Sequence, residues 1–154
     1  MAVARQQRPY VQFNFQVDLS TDGMDPASWS GGFQEVTGLS MEVQMSEYRT
    51  GVEKLNGVLK IPGMVKSDNV TLKRGIMGML PLYNWINQIR LGDQTQLRPY
   101  AIITLMSEDH TTAVMTWKLQ NARIVKLTYG PLNAKGTDVA MEEAVIAHEG
   151  LFMS

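Results

Sequence analysis

Along residues 10–19 apolar and polar positions alternate, with Val11, Phe13, Phe15 and Val17 on one side and Gln12, Asn14, Gln16 and Asp18 on the other. A period of two predicts a half-buried strand. A second strand region spans 33–49, where Leu39, Met41, Val43 and Met45 make an apolar face against Ser40, Glu42, Gln44 and Ser46. The apolar face is expected to pack the core, and Gly38 marks a bulge or a close backbone approach. Residues 20–32, rich in Ser, Asp and Gly, read as a loop, and 50–57 as an exposed one. Short strands follow at 58–61 and 69–73 around a turn at Pro62-Gly63, then at 100–107, 113–119, 124–129 and 139–152. Glu108 to Thr112 suits a hairpin turn.

One segment changes period. Leu80, Tyr83, Ile86 and Ile89, with Leu82 and Trp85 beside them, recur at helical steps and predict a helix over 79–91. Pro81 fits its first turn and Gly92 its stop. Many short antiparallel strands plus one helix predict a mainly β fold: an antiparallel barrel or sandwich with one flanking α-helix. At 154 residues this is one domain, 1–154, with 1–9 as a flexible N-terminal segment.

Composition narrows the function. A net charge of −1 carries no basic excess for nucleic acid or anionic lipid, and with no cysteine there is neither a disulfide framework nor a thiolate metal site. No apolar run reaches the ~20 residues of a membrane helix. The polar N-terminus, with Arg5 and Arg8, does not read as a signal peptide.

Candidate chemistry is sparse. Of two histidines, His110 falls in a polar turn and His148 in a strand, with no ligand spacing around either. Glu142 and Glu143 are adjacent and would face opposite ways in a strand, so they form no acid–base pair. No nucleophile elbow, phosphate loop or zinc-protease motif occurs. Lys73-Arg74, with Lys60 and Lys66, reads as a solvated strand face with cross-strand charge pairs. Asn69-Val70-Thr71 is a chance glycosylation acceptor in a strand. Of eleven methionines, Met41 and Met45 read as core or interface filling, and Met77 and Met79 flank the helix start. Trp85 and Trp117 read as buried anchors, and Trp29 as a loop residue able to meet a partner. No enzyme, cofactor or metal is expected. A small β-barrel ligand-binding module would need a convergent polar cluster, which the chain lacks.

Seven segments in order resemble tail tube proteins of contractile machines. They are Phe33 to Leu39 (FQEVTGL), Glu47-Tyr48-Arg49 with Gly51, Lys60-Ile61-Pro62-Gly63 with Lys66, and Asn69 to Gly75 (NVTLKRG). Trp117, Leu119 and Asn121-Ala122, then Val139-Ala140 with Glu142, and His148 to Leu151 (HEGL) complete the set, spanning 10–152. The family includes inner tubes of contractile phage tails, R-type pyocins and extracellular injection particles. More distantly, the chain resembles the secreted ring protein of type VI systems, the alternative reading.

The resemblance implies a homohexameric ring whose neighbouring strands join around a lumen. Rings stack into a tube inside a contractile sheath, with baseplate or spike proteins and a tube cap at its ends. Cargo, a protein toxin or DNA, travels in the lumen. Assembly would take place in the bacterial cytoplasm, with release in a particle or virion. On this view Ser40, Glu42, Gln44, Ser46, Thr71 and Lys73 face the lumen. Arg49, Gly51, Glu53, Lys54, Leu55 and Asn56 form a ring-stacking loop, and Asn84, Asn87 and Gln88 on the helix face the sheath.

Overall fold

The structure is a computed structural model describing residues 9–19, 32–52, 54, 56–78, 80–93 and 98–154. Nine strands and one helix lie among them: β1 (Phe15–Asp18), β2 (Glu35–Thr37), β3 (Glu42–Tyr48), β4 (Leu59–Lys66), β5 (Val70–Gly75), α1 (Pro81–Arg90), β6 (Arg98–Met106), β7 (Ala113–Tyr129), β8 (Met141–Ala147) and β9 (Gly150–Met153). The expected N-terminal flexible segment lies outside the described residues except for Pro9.

All strand pairings are antiparallel. The main sheet runs β1-β6-β7-β8-β5-β2, and β9 also pairs with β7. The 17-residue β7 serves two sheet halves. Its first part lies between β6 and β9, and its second part pairs with β8. The 113–119 and 124–129 strands read from the sequence are thus one strand.

The burial pattern of β7 records how it turns. Trp117 and Leu119 face inward, then Ala122 and Ile124, so the inward parity flips between them. Asn121 sits at the flip with φ 49°, in the left-handed region that Asn tolerates better than most residues. Its Nδ2 donates to Glu149 Oε2 at 2.6 Å, and the Glu149 amide donates to the Gln120 carbonyl at 2.9 Å. A register shift between Ile124 and Lys126 turns the strand again.

The core lies between the sheet halves and under α1, with Val17, Val70, Leu72, Ile103, Leu119, Ile124 and Ile146 almost fully buried. Helix α1 adds Leu82 and Trp85 to it and packs on β7. The helix falls inside the predicted span, with Pro81 in its first turn. It ends in a Schellman motif: Gly92, at φ 99°, donates to Ile89 and Asp93 donates to Gln88. The β6–β7 hairpin turns over Glu108–Thr112 as expected. There Asp109 accepts hydrogen bonds from Ser107 Oγ and the Thr111 amide, and His110 takes φ 59°.

Candidate assembly surface

β2 and β5 run on into β3 and β4, making one long ribbon with a break in it. Between Thr37 and Glu42 on one side, and Lys66 and Val70 on the other, the ladder is interrupted. Gly38 sets the bend with φ 90°, and a Cβ there would lie 2.2 Å from the Asn69 carbonyl oxygen. Ser40 Oγ donates to Asp68 Oδ2 at 2.8 Å, and His148 Nε2 lies 3.0 Å from the Asp68 carbonyl oxygen. His148 sits between β8 and β9 rather than within a strand.

Beyond this bend every residue of β3 and β4 is exposed, on both faces. The expectation that Met41, Val43 and Met45 pack the core is corrected here, since the ribbon stands away from the body of the chain. The same alternating pattern that covers a core can equally meet a neighbouring molecule. One face carries Glu42 opposite Lys66, Ser46 opposite Ile61 and Tyr48 opposite Leu59. The other carries Val43 opposite Val65, Met45 opposite Pro62 and Glu47 opposite Lys60. Pro62-Gly63 is not the expected turn: it lies inside β4 at a register shift, where a Gly63 Cβ would come 2.9 Å from the Gln44 carbonyl oxygen.

Glu42, Gln44 and Ser46 alternate on β3, whereas Ser40 lies before the strand in the bend. The true turn of the ribbon is the loop after Tyr48. Its described residues Arg49, Gly51, Val52, Lys54 and Asn56 are exposed; Glu53 and Leu55 lie outside the described residues, as does Trp29.

In the main sheet, Thr71 and Lys73 point away from the core, as the alternation of β5 requires. They stand in two cross-strand rows. One is Glu35, Lys73, Glu143 and Thr128; the other is Thr37, Thr71, Val145 and Lys126. Lys73 Nζ lies 3.8 Å from Glu35 and 4.0 Å from Glu143. The sequence reading missed Glu35, Thr37, Lys126, Thr128, Glu143 and Val145 as members of this surface. Glu143 and Val145 were findable from the alternation in β8, whose opposite positions, Glu142, Ala144 and Ile146, are buried.

Arg74 departs from the solvated face expected of Lys73-Arg74. Its side chain is buried against Glu142, its cross-strand partner, and Nε donates to Glu142 Oε1. The guanidinium carbon lies 5.3 Å from the centre of the Phe33 ring. Glu142 and Glu143 do face opposite ways. Tyr129, next in the same row, has its phenol pushed above its ordinary pKa by partial burial and by the neighbouring Glu142.

On α1, Asn84 and Gln88 are exposed, and Asn87 is half-buried and accepts a hydrogen bond from Arg90. Trp85 is buried as expected, and Trp117 is half-buried against the core. An open cleft of about 1370 Å³ is lined by Phe15, Phe33, Val36, Leu39, Trp117 and Met141 among others. Of its charged residues, Lys73 and Glu35 already pair with each other. Among the described residues no cluster of three or more His, Asp or Glu could hold a metal ion, and no helix is long and apolar enough to cross a membrane.

No curated protein matches the chain. Among solved structures it is similar to a chain of the extracellular contractile injection system PVC, in its sheath–tube complex in the extended state. The two are 30% identical over 96% of this chain and 93% of that one, with a TM-score of 0.82. It shares its fold with a chain of the anti-feeding prophage baseplate, at 24% identity over 97% of each chain and a TM-score of 0.83. Hcp1 from Flavobacterium johnsoniae shares the fold more loosely, at 12% identity over 92% of this chain and 94% of that one, with a TM-score of 0.52. The profile of one family covers residues 11–152, and by that match the chain belongs to the T4-like virus tail tube protein gp19 family.

Proposed function

We propose that this tail tube protein is the inner-tube subunit of a contractile injection particle, working as one tube domain that forms homohexameric rings. The observation that carries this is the β3–β4 ribbon, which leaves Val43, Met45, Tyr48, Leu59, Ile61 and Val65 exposed together and which no described part of its own subunit covers.

The topology supplies the way subunits join. β2 and β3 lie on one free edge of the sheet. The second half of β7 lies on the opposite free edge, with no partner on its far side among the described residues. Two different edges demand a heterologous, head-to-tail contact, and such a contact closes into a ring when its rotation closes. Since β7, β8, β5 and β2 alternate in direction, the β2–β3 edge of one copy meets β7 of the next antiparallel. The two edges then cover each other, while the outer sides of β1 and β4 stay outside the joint. Proline and the register shift disfavour the outer edge of β4 as the joining strand.

The polar rows on β5, with Thr71 and Lys73, line the lumen in this arrangement, together with Glu42, Gln44 and Ser46 on the ribbon and Ser40 at its base. The loop through Arg49, Gly51, Glu53, Lys54, Leu55 and Asn56 meets the next ring. Asn84, Asn87 and Gln88 face the sheath, as the PVC relative's sheath–tube complex suggests. Baseplate or spike and cap proteins meet the tube's ends, and a protein or DNA cargo fills it. The subunit acts without catalysis. It assembles in the bacterial cytoplasm and leaves in a particle or virion. The much lower identity to Hcp1 favours this reading over a secreted type VI ring protein.

Electron microscopy of the purified subunit tests the assembly, with sixfold rings or hollow tubes the expected result. Because the chain has no cysteine, Ser46→Cys with Thr128→Cys introduces the only thiols. Oxidised tubes of this variant should give a ladder of covalent oligomers ending at the hexamer. Assembled tubes with no cross-link would overturn the pairing of Ser46 with Thr128 across the two edges.

A further inference from the structure

Two residues, His148 and Glu149, join β8 to β9, and they reach in different directions. Glu149 holds the bend of β7: its amide donates to the Gln120 carbonyl at 2.9 Å, and its Oε2 accepts from Asn121 Nδ2 at 2.6 Å. His148 reaches the base of the ribbon, with Nε2 3.0 Å from the Asp68 carbonyl oxygen. A carbonyl oxygen only accepts, so Nε2 carries a proton and donates it. Nδ1 is buried with no hydrogen-bond partner among the described residues, which leaves Asp68 as the partner the ring has. Asp68 also accepts from Ser40 Oγ through Oδ2 and so ties together the two linkers between body and ribbon. Gly38, in one linker, lies against the Asn69 carbonyl of the other.

We propose that the His148–Glu149 corner is a strut that sets the angle between the ribbon and the second half of β7, with His148 as the positioning residue. The ribbon is held through His148 and Asp68, and β7 is held at its bend through Glu149. The use of this angle rests on the ring reading above. There β3 and the second half of β7 are the edges that join, so the angle between them fixes the rotation from one subunit to the next. A heterologous contact closes into a ring only when that rotation closes. A flat imidazole with two rotatable bonds holds an angle at a smaller entropic cost than a long flexible donor such as lysine.

The test places nitroxide labels on Ser46→Cys and Thr128→Cys, both exposed, one on the ribbon and one on β7. Pulsed electron paramagnetic resonance then measures their separation in dilute free subunit. One narrow distance is expected with His148 in place. His148→Phe keeps a ring but no donor, and the narrow distance should give way to a broad or displaced distribution. His148→Gln restores a donor and should recover most of it. Nitrogen-15 NMR should find the neutral ring of His148 protonated on Nε2. Under the electron microscope His148→Phe should form open or irregular assemblies in place of sixfold rings. An unmoved, narrow distance in His148→Phe would overturn the strut, as would a neutral ring protonated on Nδ1, which leaves Nε2 nothing to donate. His148→Ala gives the same reading should the phenylalanine variant not fold. If the parent forms no sixfold ring while its label distances behave as expected, the ring reading fails and the strut stands in the free subunit.

Discussion

Replacing Glu142 with leucine should destabilise the subunit out of proportion to its size, because it strands a buried cation. The side chains of Arg74 and Glu142 are only 4% and 5% exposed, and the two residues are direct cross-strand partners on β5 and β8. The guanidinium's other neighbour is the Phe33 ring, and Arg74 Nη2 has no hydrogen-bond partner among the described residues. Removing one member of such a pair costs about 3–5 kcal/mol, since the remaining charge keeps its desolvation penalty without its counter-charge. For a domain of this size that is a fall of roughly 6–20 °C in melting temperature. The paired replacement Arg74→Met with Glu142→Leu fills similar volume without charge and should return to within about 1 kcal/mol of the parent.

The assay is a double-mutant cycle by thermal and urea unfolding, run at low protein concentration so that assembly does not add to the apparent stability. The Tyr129 phenol gives a second readout, because Glu142 is one of the groups holding its pKa up; the single Glu142→Leu variant should titrate lower. A loss below about 1 kcal/mol in the single variant, or two single losses that simply add, would refute the burial argument.

Four further outcomes are expected. Gly38→Ala should cost about 2 kcal/mol or more by calorimetry, since it needs a left-handed φ and collides with the Asn69 carbonyl, and the swung ribbon should abolish assembly. Asn121→Val should cost about 1–2 kcal/mol while Asn121→Gly stays nearer the parent, because the bend in β7 requires φ 49°. Asp109 should titrate at about 2 rather than 3.8 by carboxyl NMR, held down by Ser107 and Thr111. The turn's contribution should be complete above about 3.8, fade as pH falls towards 2, and vanish in Asp109→Ala. Arg49→Glu with Lys54→Glu should shorten tubes by electron microscopy but leave the subunit's melting temperature unchanged; each exposed charge is worth about 0–1 kcal/mol, repeated around every ring.

The strands of the body were legible because each keeps one face on a single core, so alternation and burial coincide in β5 and β8. Legibility failed where burial depends on a partner far along the chain. Arg74 is 68 residues from Glu142, and nothing near it in sequence separates a buried arginine from its exposed neighbour Lys73. It failed again at Pro62-Gly63, a pair that usually marks a turn. Here it sits in an outer strand of a ribbon, where a missing N–H and a register shift are tolerated. The alternation of Met41, Val43 and Met45 was read as a core face because period two reports that something covers the apolar side, and cannot report which molecule does. The polar rows around Lys73 were half visible, since Glu143 follows from β8 alone, while Glu35 and Lys126 join only through the pairing of strands.

This division of the chain has a consequence for how it can fail. The body carries its own core: its helix ends in a Schellman motif, its ion pair is buried and its bent strand is held by Asn121 and Glu149. The ribbon finds no cover among the described residues, and Gly38, Ser40 and Asp68 set where it stands; on the ring reading a second subunit covers it. Substitutions in the body therefore act on unfolding, and through it on everything else. Polar substitutions at Val43, Met45 or Ile61 should cost the free subunit less than core substitutions, because these side chains stay about half exposed there, and should still weaken assembly on the ring reading. The apolar surface that the free chain leaves bare is where the ring reading puts the joint, so unfolding and assembly should respond to different substitutions.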